Sequence, residues 1–92
     1  MIRVKNLHHT SDRAPDGYSS WKDYWEKKTG RRWPHTCCVY GCSKDASVGA
    51  HVKKVGSYDN RWYIVPVCYL HNSAYFDDEY LVNETDLVPV ND

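Results

Sequence analysis

Cys37-Cys38-Val39-Tyr40-Gly41-Cys42 and, beyond the intervening residues 43–67, Cys68-Tyr69-Leu70-His71 together hold all four cysteines of the chain. The spacing is paired rather than scattered, and no export signal accompanies it, so a disulfide framework is not expected. Cys38-x3-Cys42 places Gly41 directly before a ligand position, where a metal-binding knuckle needs a tight turn. Cys68-x2-His71 supplies a second pair at what reads as the onset of a helix over 68–76. Two short-range pairs can bring three thiolates and one imidazole into a tetrahedron, and Cys3His is a standard structural zinc set. Thiolate and imidazole ligands also select Zn²⁺ over Mg²⁺ or Ca²⁺. The expected ligands are therefore Cys38, Cys42, Cys68 and His71. Cys37-x4-Cys42 and His35-x2-Cys38 are also permissible pairings, and Gly41 favours Cys38 with Cys42.

The residues between the two pairs read as a hairpin. Val48–Val55 is strand-like, Gly56-Ser57-Tyr58-Asp59-Asn60 has turn chemistry, and Arg61–Val67 reads as the return strand. Pro66 confines that second strand to an edge or places the proline near its end. Upstream, Ser19 and Ser20 are N-cap candidates for a helix starting at Trp21. Trp21, Tyr24, Trp25 and Lys28 fall at i, i+3, i+4 and i+7, which makes one face aromatic. Thr29-Gly30 ends the helix. Residues 1–19 read as loop, with His8-His9-Thr10-Ser11-Asp12 polar and Ala14-Pro15-Asp16-Gly17 a turn. Near the C-terminus, Leu81-Val82 and Leu87–Val90 read as short edge strands.

At 92 residues the chain is one domain, and a chain this short buries only roughly 60–65% of its unfolded surface. A structural zinc, contributing on the order of 10 kcal/mol of apparent folding energy, offsets so small a core. The expected class is α+β, with an N-terminal arm and helix over 1–34, a zinc module over 35–76 and an acidic tail over 77–92. No window approaches the roughly 18 consecutive apolar residues of a membrane span. The N-terminus lacks an apolar stretch of signal-peptide length, so a cytoplasmic location is the expectation.

The formal net charge is zero, which argues against a protein that coats nucleic acid by bulk charge. Zero is nevertheless the sum of two unlike parts. All twelve Lys and Arg lie in 1–61 with six acids, a balance of +6, whereas 62–92 carries six acids and no base, −6. The two parts either neutralise one another on folding or present a directional surface to an anionic partner.

Knuckle, hairpin, then a helix opening on Cys-x2-His is the treble-clef order. With Gly49-Ala50-His51-Val52 on the first strand and Ile64-Val65-Pro66-Val67-Cys68-Tyr69-Leu70-His71-Asn72 on the second, residues 37–75 resemble a zinc-containing HNH-type nuclease module. The resemblance implies that His51 is the general base that activates water and that Asn72 stands where the family's last metal-binding histidine would be. A second divalent ion such as Mg²⁺ would then serve catalysis. Ala50 occupies a position where the family has a metal ligand, and Asn60 is displaced from the family's middle asparagine, so the catalytic set is degenerate.

Three functions follow as expectations. The first is a zinc-stabilised module that binds DNA without robust catalysis, through Arg31, Arg32, Lys53, Lys54 and Arg61. The second is a metal-dependent endonuclease that uses His51. The third is a protein-interaction domain with a contact face built from Trp21, Trp25, Trp33 and Trp62.

Overall fold

A computed structural model describes residues 1–8 and 13–90. The elements are β1 (Ile2–Asn6), α1 (Trp21–Thr29), β2 (Val48–Lys54), β3 (Tyr63–Val67), β4 (Tyr80–Val82), a single 3-10 turn (Glu84–Asp86) and β5 (Val88–Pro89). The strands form one antiparallel sheet in the order β4-β1-β2-β3-β5. The α+β class is as expected. No helix among the described residues is long and apolar enough to cross a membrane.

Side-chain alternation gives the sheet two different faces. Val4, Ala50, Val52, Tyr63, Val65, Val67, Tyr80 and Val82 share one face and form the main core with Cys37, Val39 and Cys68. Ile64 and Val88, registered opposite each other, sit on the other face under Tyr24 and Trp25 of α1. Gly49 belongs to that second face. A Cβ built there would lie 3.0 Å from Ile64 Cδ1 and 3.3 Å from Trp21 Cβ, so the helix approaches this closely only because residue 49 has no side chain.

The helix forms where its signals place it. Ser20 is the N-cap, its Oγ accepting from the Asp23 N–H at 3.0 Å, and Gly30 closes the helix in the left-handed conformation at φ 70°. Its aromatic face is core. Trp25 is fully buried and its Nε1 donates to the Asp86 carbonyl at 2.9 Å, while the Tyr24 hydroxyl donates to the Pro89 carbonyl at 2.7 Å. The tail is therefore held by the helix. Trp33 packs edge-on to Trp25, and Trp62 alone among the tryptophans is exposed, so the four form no common contact face.

Three expectations are corrected. Residues 2–6, read as loop, form β1, which lies inside the sheet between β4 and β2. For His9 to Asp12 the loop expectation falls outside the described residues. The return strand starts at Tyr63, because the Asp59 carboxylate accepts from the Arg61 backbone and side chain and from the Tyr63 hydroxyl, which extends the turn by two residues. Residues 69–75 form successive turns in place of a helix, with Asn72 N bonded to Cys68 O, Ser73 N to Leu70 O and Phe76 N to Ser73 O. The short edge strands are present as β4 and β5. Pro66 is the penultimate residue of its strand, beyond the two residues of β3 that pair with β5, so its missing N–H breaks no ladder bond.

Asp59 sits among Arg61, Lys54 and the Tyr63 hydroxyl. Hydrogen bonding from Arg61 first, then from Tyr63, holds its carboxyl well below the usual carboxylate range. A depressed folded-state value means that the contribution is complete above the unfolded pKa near 3.9 and is lost as pH falls below it. Asp59→Asn is therefore expected to lower the denaturation midpoint at neutral pH, and the gap to the wild type should begin to narrow below about pH 4 and shrink steadily as pH falls further toward the depressed folded value. A gap that persists unchanged into acid would assign the effect to packing.

Candidate metal centre

Cys37, Cys42, Cys68 and His71 each direct one ligand atom into a cluster in which all four atoms lie within 4.8 Å of one another. Cys42 Sγ is 3.9 Å from Cys68 Sγ, Cys37 Sγ is 3.8 Å from His71 Nδ1, and Cys68 Sγ is 3.1 Å from the same nitrogen. A tetrahedral Zn²⁺ with bonds of about 2.0–2.3 Å separates its ligands by roughly 3.3–3.8 Å. The donor set and its size fit that ion, with Nδ1 as the histidine ligand atom.

The backbone explains the convergence. Gly41 at φ 82° allows the turn in which Cys42 N bonds Val39 O at 3.0 Å. Cys37 N bonds Lys44 O at 2.8 Å, Tyr40 N bonds Leu81 O of β4 at 2.8 Å, and Cys38 N bonds Pro66 O of β3 at 3.0 Å. The loop is thereby fixed to the sheet beside the end of β3, where Cys68 follows directly.

Cys38 is replaced in the ligand set by Cys37. Cys38 N is bonded to Pro66 O, and of the two adjacent cysteines only Cys37 faces Cys68. The Cys38 thiol instead lies by Asp86. Burial first, then the Asp86 carboxylate, pushes it up to about 12, which keeps it protonated. His35 is exposed, and its ring is 3.8 Å from the Asp45 carboxylate.

Within the cluster the thiols differ. Burial pushes Cys37 up to about 11. Cys68 is also desolvated, but hydrogen bonds from the His71 backbone, the Cys37 and Cys42 thiols and the Leu70 backbone outweigh this and hold it below the ordinary thiol value. Burial lowers His71, favouring the neutral imidazole that a metal requires. A divalent cation among these groups would offset the cost of ionising the buried thiols.

Two further residues position the site. Asn6, 7% exposed, donates through Nδ2 to the His71 carbonyl at 2.5 Å, and the Tyr80 hydroxyl donates to Asn6 Oδ1 at 2.6 Å. The His71 ring is flanked by Phe76 and Tyr80, with centroids 4.9 and 5.5 Å away. Neither Asn6 nor Tyr80 is identifiable from spacing, since Asn6 and His71 meet across 65 positions of sequence.

His51 and Asn72 lie elsewhere. His51 is 7% exposed, on the helix-covered face of the sheet and away from the metal cluster's core, and its ring meets Trp21 edge-on at 4.6 Å. Asn72 lines a cleft of about 450 Å³ with Trp21, Trp33, Gly49 and Tyr69. Trp21 is thus the neighbour common to both. Of the basic residues, Arg31 is bonded to Asp86 at 2.6 Å, Lys54 to Glu84 at 2.9 Å, and Arg61 to Asp59 at 3.2 Å. Lys53 and Arg32 are exposed. Comparison with known proteins adds no identity: no family model matches the chain, and no curated protein or solved structure matches it.

Serine at Cys37, Cys42 or Cys68, or alanine at His71, is expected to abolish stoichiometric zinc measured by elemental analysis, while Cys38→Ser retains one ion per chain. Asn6→Ala should keep the ion but weaken chelator-competition affinity by about 10–100-fold. Loss of zinc from Cys38→Ser with retention by Cys37→Ser would reverse the assignment.

Proposed function

We propose that this chain is a zinc-binding module that uses the ion to hold a small α+β domain together and that binds nucleic acid without robust cleavage. The observation that carries the zinc is the convergence of Cys37, Cys42, Cys68 and His71 within 4.8 Å. In this reading the ion is structural: all four positions are taken by protein ligands, which leaves no open coordination site for water or substrate. Loop, hairpin and Cys-x2-His turn then amount to a treble clef whose closing helix is reduced to turns.

Support for the non-catalytic form comes from the second set of residues. Ala50, where a hard-metal ligand would stand, is fully buried among valines. His51 lies under Trp21 and is too enclosed to hand a proton to bulk water without movement of that ring. Nucleic-acid binding rests on exposed cations that the acidic tail leaves uncompensated, Lys53 and Arg32 among them. An HNH-like endonuclease is the second reading, favoured by the position of Trp21 between His51 and the Asn72 cleft. Such an enzyme requires Trp21 to swing aside.

Chelation of zinc is expected to unfold the domain cooperatively, followed by circular dichroism, and re-addition to restore it. Since ligand thiols must lose protons, apparent zinc affinity should rise with pH between about 6 and 8. Plasmid incubated with Mg²⁺ or Mn²⁺ should remain uncut. Cleavage by the wild type that His51→Ala abolishes would overturn the non-catalytic reading in favour of the nuclease.

A further inference from the structure

The acidic tail pairs with only some of the basic residues, and where it does not is informative. Asp77 pairs with His8, Glu79 with Arg3, Glu84 with Lys54 and Asp86 with Arg31. Lys5 and Lys53 have no ion-pair partner among the described residues. They are, moreover, direct cross-strand partners in the β1–β2 register.

Cross-strand partners have Cβ atoms about 4.5–5.5 Å apart, and like charges placed there destabilise a sheet. Alternation assigns both lysines to the face that α1 covers only in part. Their neighbours Val4, Val52 and Lys54 turn to the opposite face, where Lys54 lies over the Tyr63 ring at 4.9 Å and bonds Glu84. Arg3, two positions before Lys5, shares the lysines' face; it is exposed and 3.6 Å from the Glu79 carboxylate. Beside this strip the same face carries His51 and then Trp21 of the helix.

We propose that Lys5 and Lys53 form the surface that receives the phosphate backbone of a nucleic acid. The inference rests on the nucleic-acid reading above and gives it a location different from most of the residues that the sequence suggested. Arg31, Lys54 and Arg61 are engaged with carboxylates, whereas the Lys5–Lys53 pair stores repulsion that an anion relieves. Two cations side by side on adjacent strands, Lys53 exposed and Lys5 half-buried, offer a paired contact to a regularly charged strand. An acidic protein partner is the less suited occupant: protein interfaces centre on apolar or aromatic anchors, whereas Leu81 on the β4 side is half-buried and Trp21 on the other side is packed against His51.

The test uses the full zinc-loaded chain and fluorescence anisotropy with a labelled duplex oligonucleotide, its single strand, and labelled poly-glutamate. For the wild type, log affinity for DNA should fall linearly with log salt. Lys5→Gln combined with Lys53→Gln should reduce the duplex slope by about 1.8, at roughly 0.9 for each phosphate that is no longer neutralised. Lys44→Gln, a lysine of the metal loop outside the strip, should leave the slope unchanged. Lys5→Glu, which turns the like-charged pair into an ion pair, should raise the melting temperature by a few degrees while weakening DNA binding. Wild-type binding with an unaltered slope in the double variant would place the surface elsewhere and overturn this assignment alone. No DNA binding at low salt by protein holding one zinc per chain would remove the nucleic-acid reading itself. Binding of poly-glutamate that the double variant loses, with none to DNA, would overturn the assignment in favour of an acidic protein.

Discussion

The meeting of Cys37 and Cys42 with Cys68 and His71 is the constraint on which the rest of the domain depends. The first pair lies in a loop before the hairpin and the second in turns after it, so an ion held by all four closes the chain around β2 and β3. Those strands are the middle of the sheet, and the residues packed against the cluster, Val39, Val65, Val67 and Tyr80, are its main core. In a chain too short to bury a large apolar core, a metal clip at the end of the central hairpin would act where each fixed residue orders the most structure. The Asn6 and Tyr80 hydrogen bonds extend the same clip to β1 and β4, which carry no ligand.

The other face of the sheet is organised by aromatic packing. Trp25, Tyr24 and Ile64 bury one side of α1, and the helix in turn binds the tail through Trp25 to Asp86 and Tyr24 to Pro89. Because of this, the acidic end of the chain lies across basic residues that precede it. Folding thus pairs Arg3, Arg31 and Lys54 with carboxylates of the tail. Exposed ion pairs of this kind contribute little individually, about 0–1 kcal/mol; their larger effect is to choose which cations remain for a partner.

Most of the local elements were legible in residue order. Ser20 and Gly30 bracket the helix, Gly41 marks the tight turn, and the alternating strands on either side of Gly56–Asn60 mark the hairpin. β1 was less legible: Ile2, Val4 and Asn6 alternate with Arg3 and Lys5, but five residues with two charges and an asparagine carry a weak strand signal. They become a strand because β2 and β4 both present open edges to them. The helix expected after Cys68 fails for a complementary reason. The segment bends through turns as His71 reaches the cluster and Phe76 packs beside its ring, and Asn72 ends in a cleft next to Trp21 instead of opposite His51.

Ligand chemistry, helix, hairpin and the separation of basic from acidic halves were determined by the sequence alone, because each depends on residues close in the chain or on composition. Which of two adjacent cysteines faces the metal cluster was decided only by tertiary structure: Cys38 N is committed to Pro66 O and its thiol lies by Asp86, while Cys37 meets Cys68 and His71. The same holds for the charges. Sequence supplies twelve bases and twelve acids, but only the tertiary packing determines that Arg31 and Lys54 meet carboxylates of the tail and that Lys5 meets Lys53 across β1 and β2. Coulomb interactions act through space, and proximity in space is what the linear order leaves open.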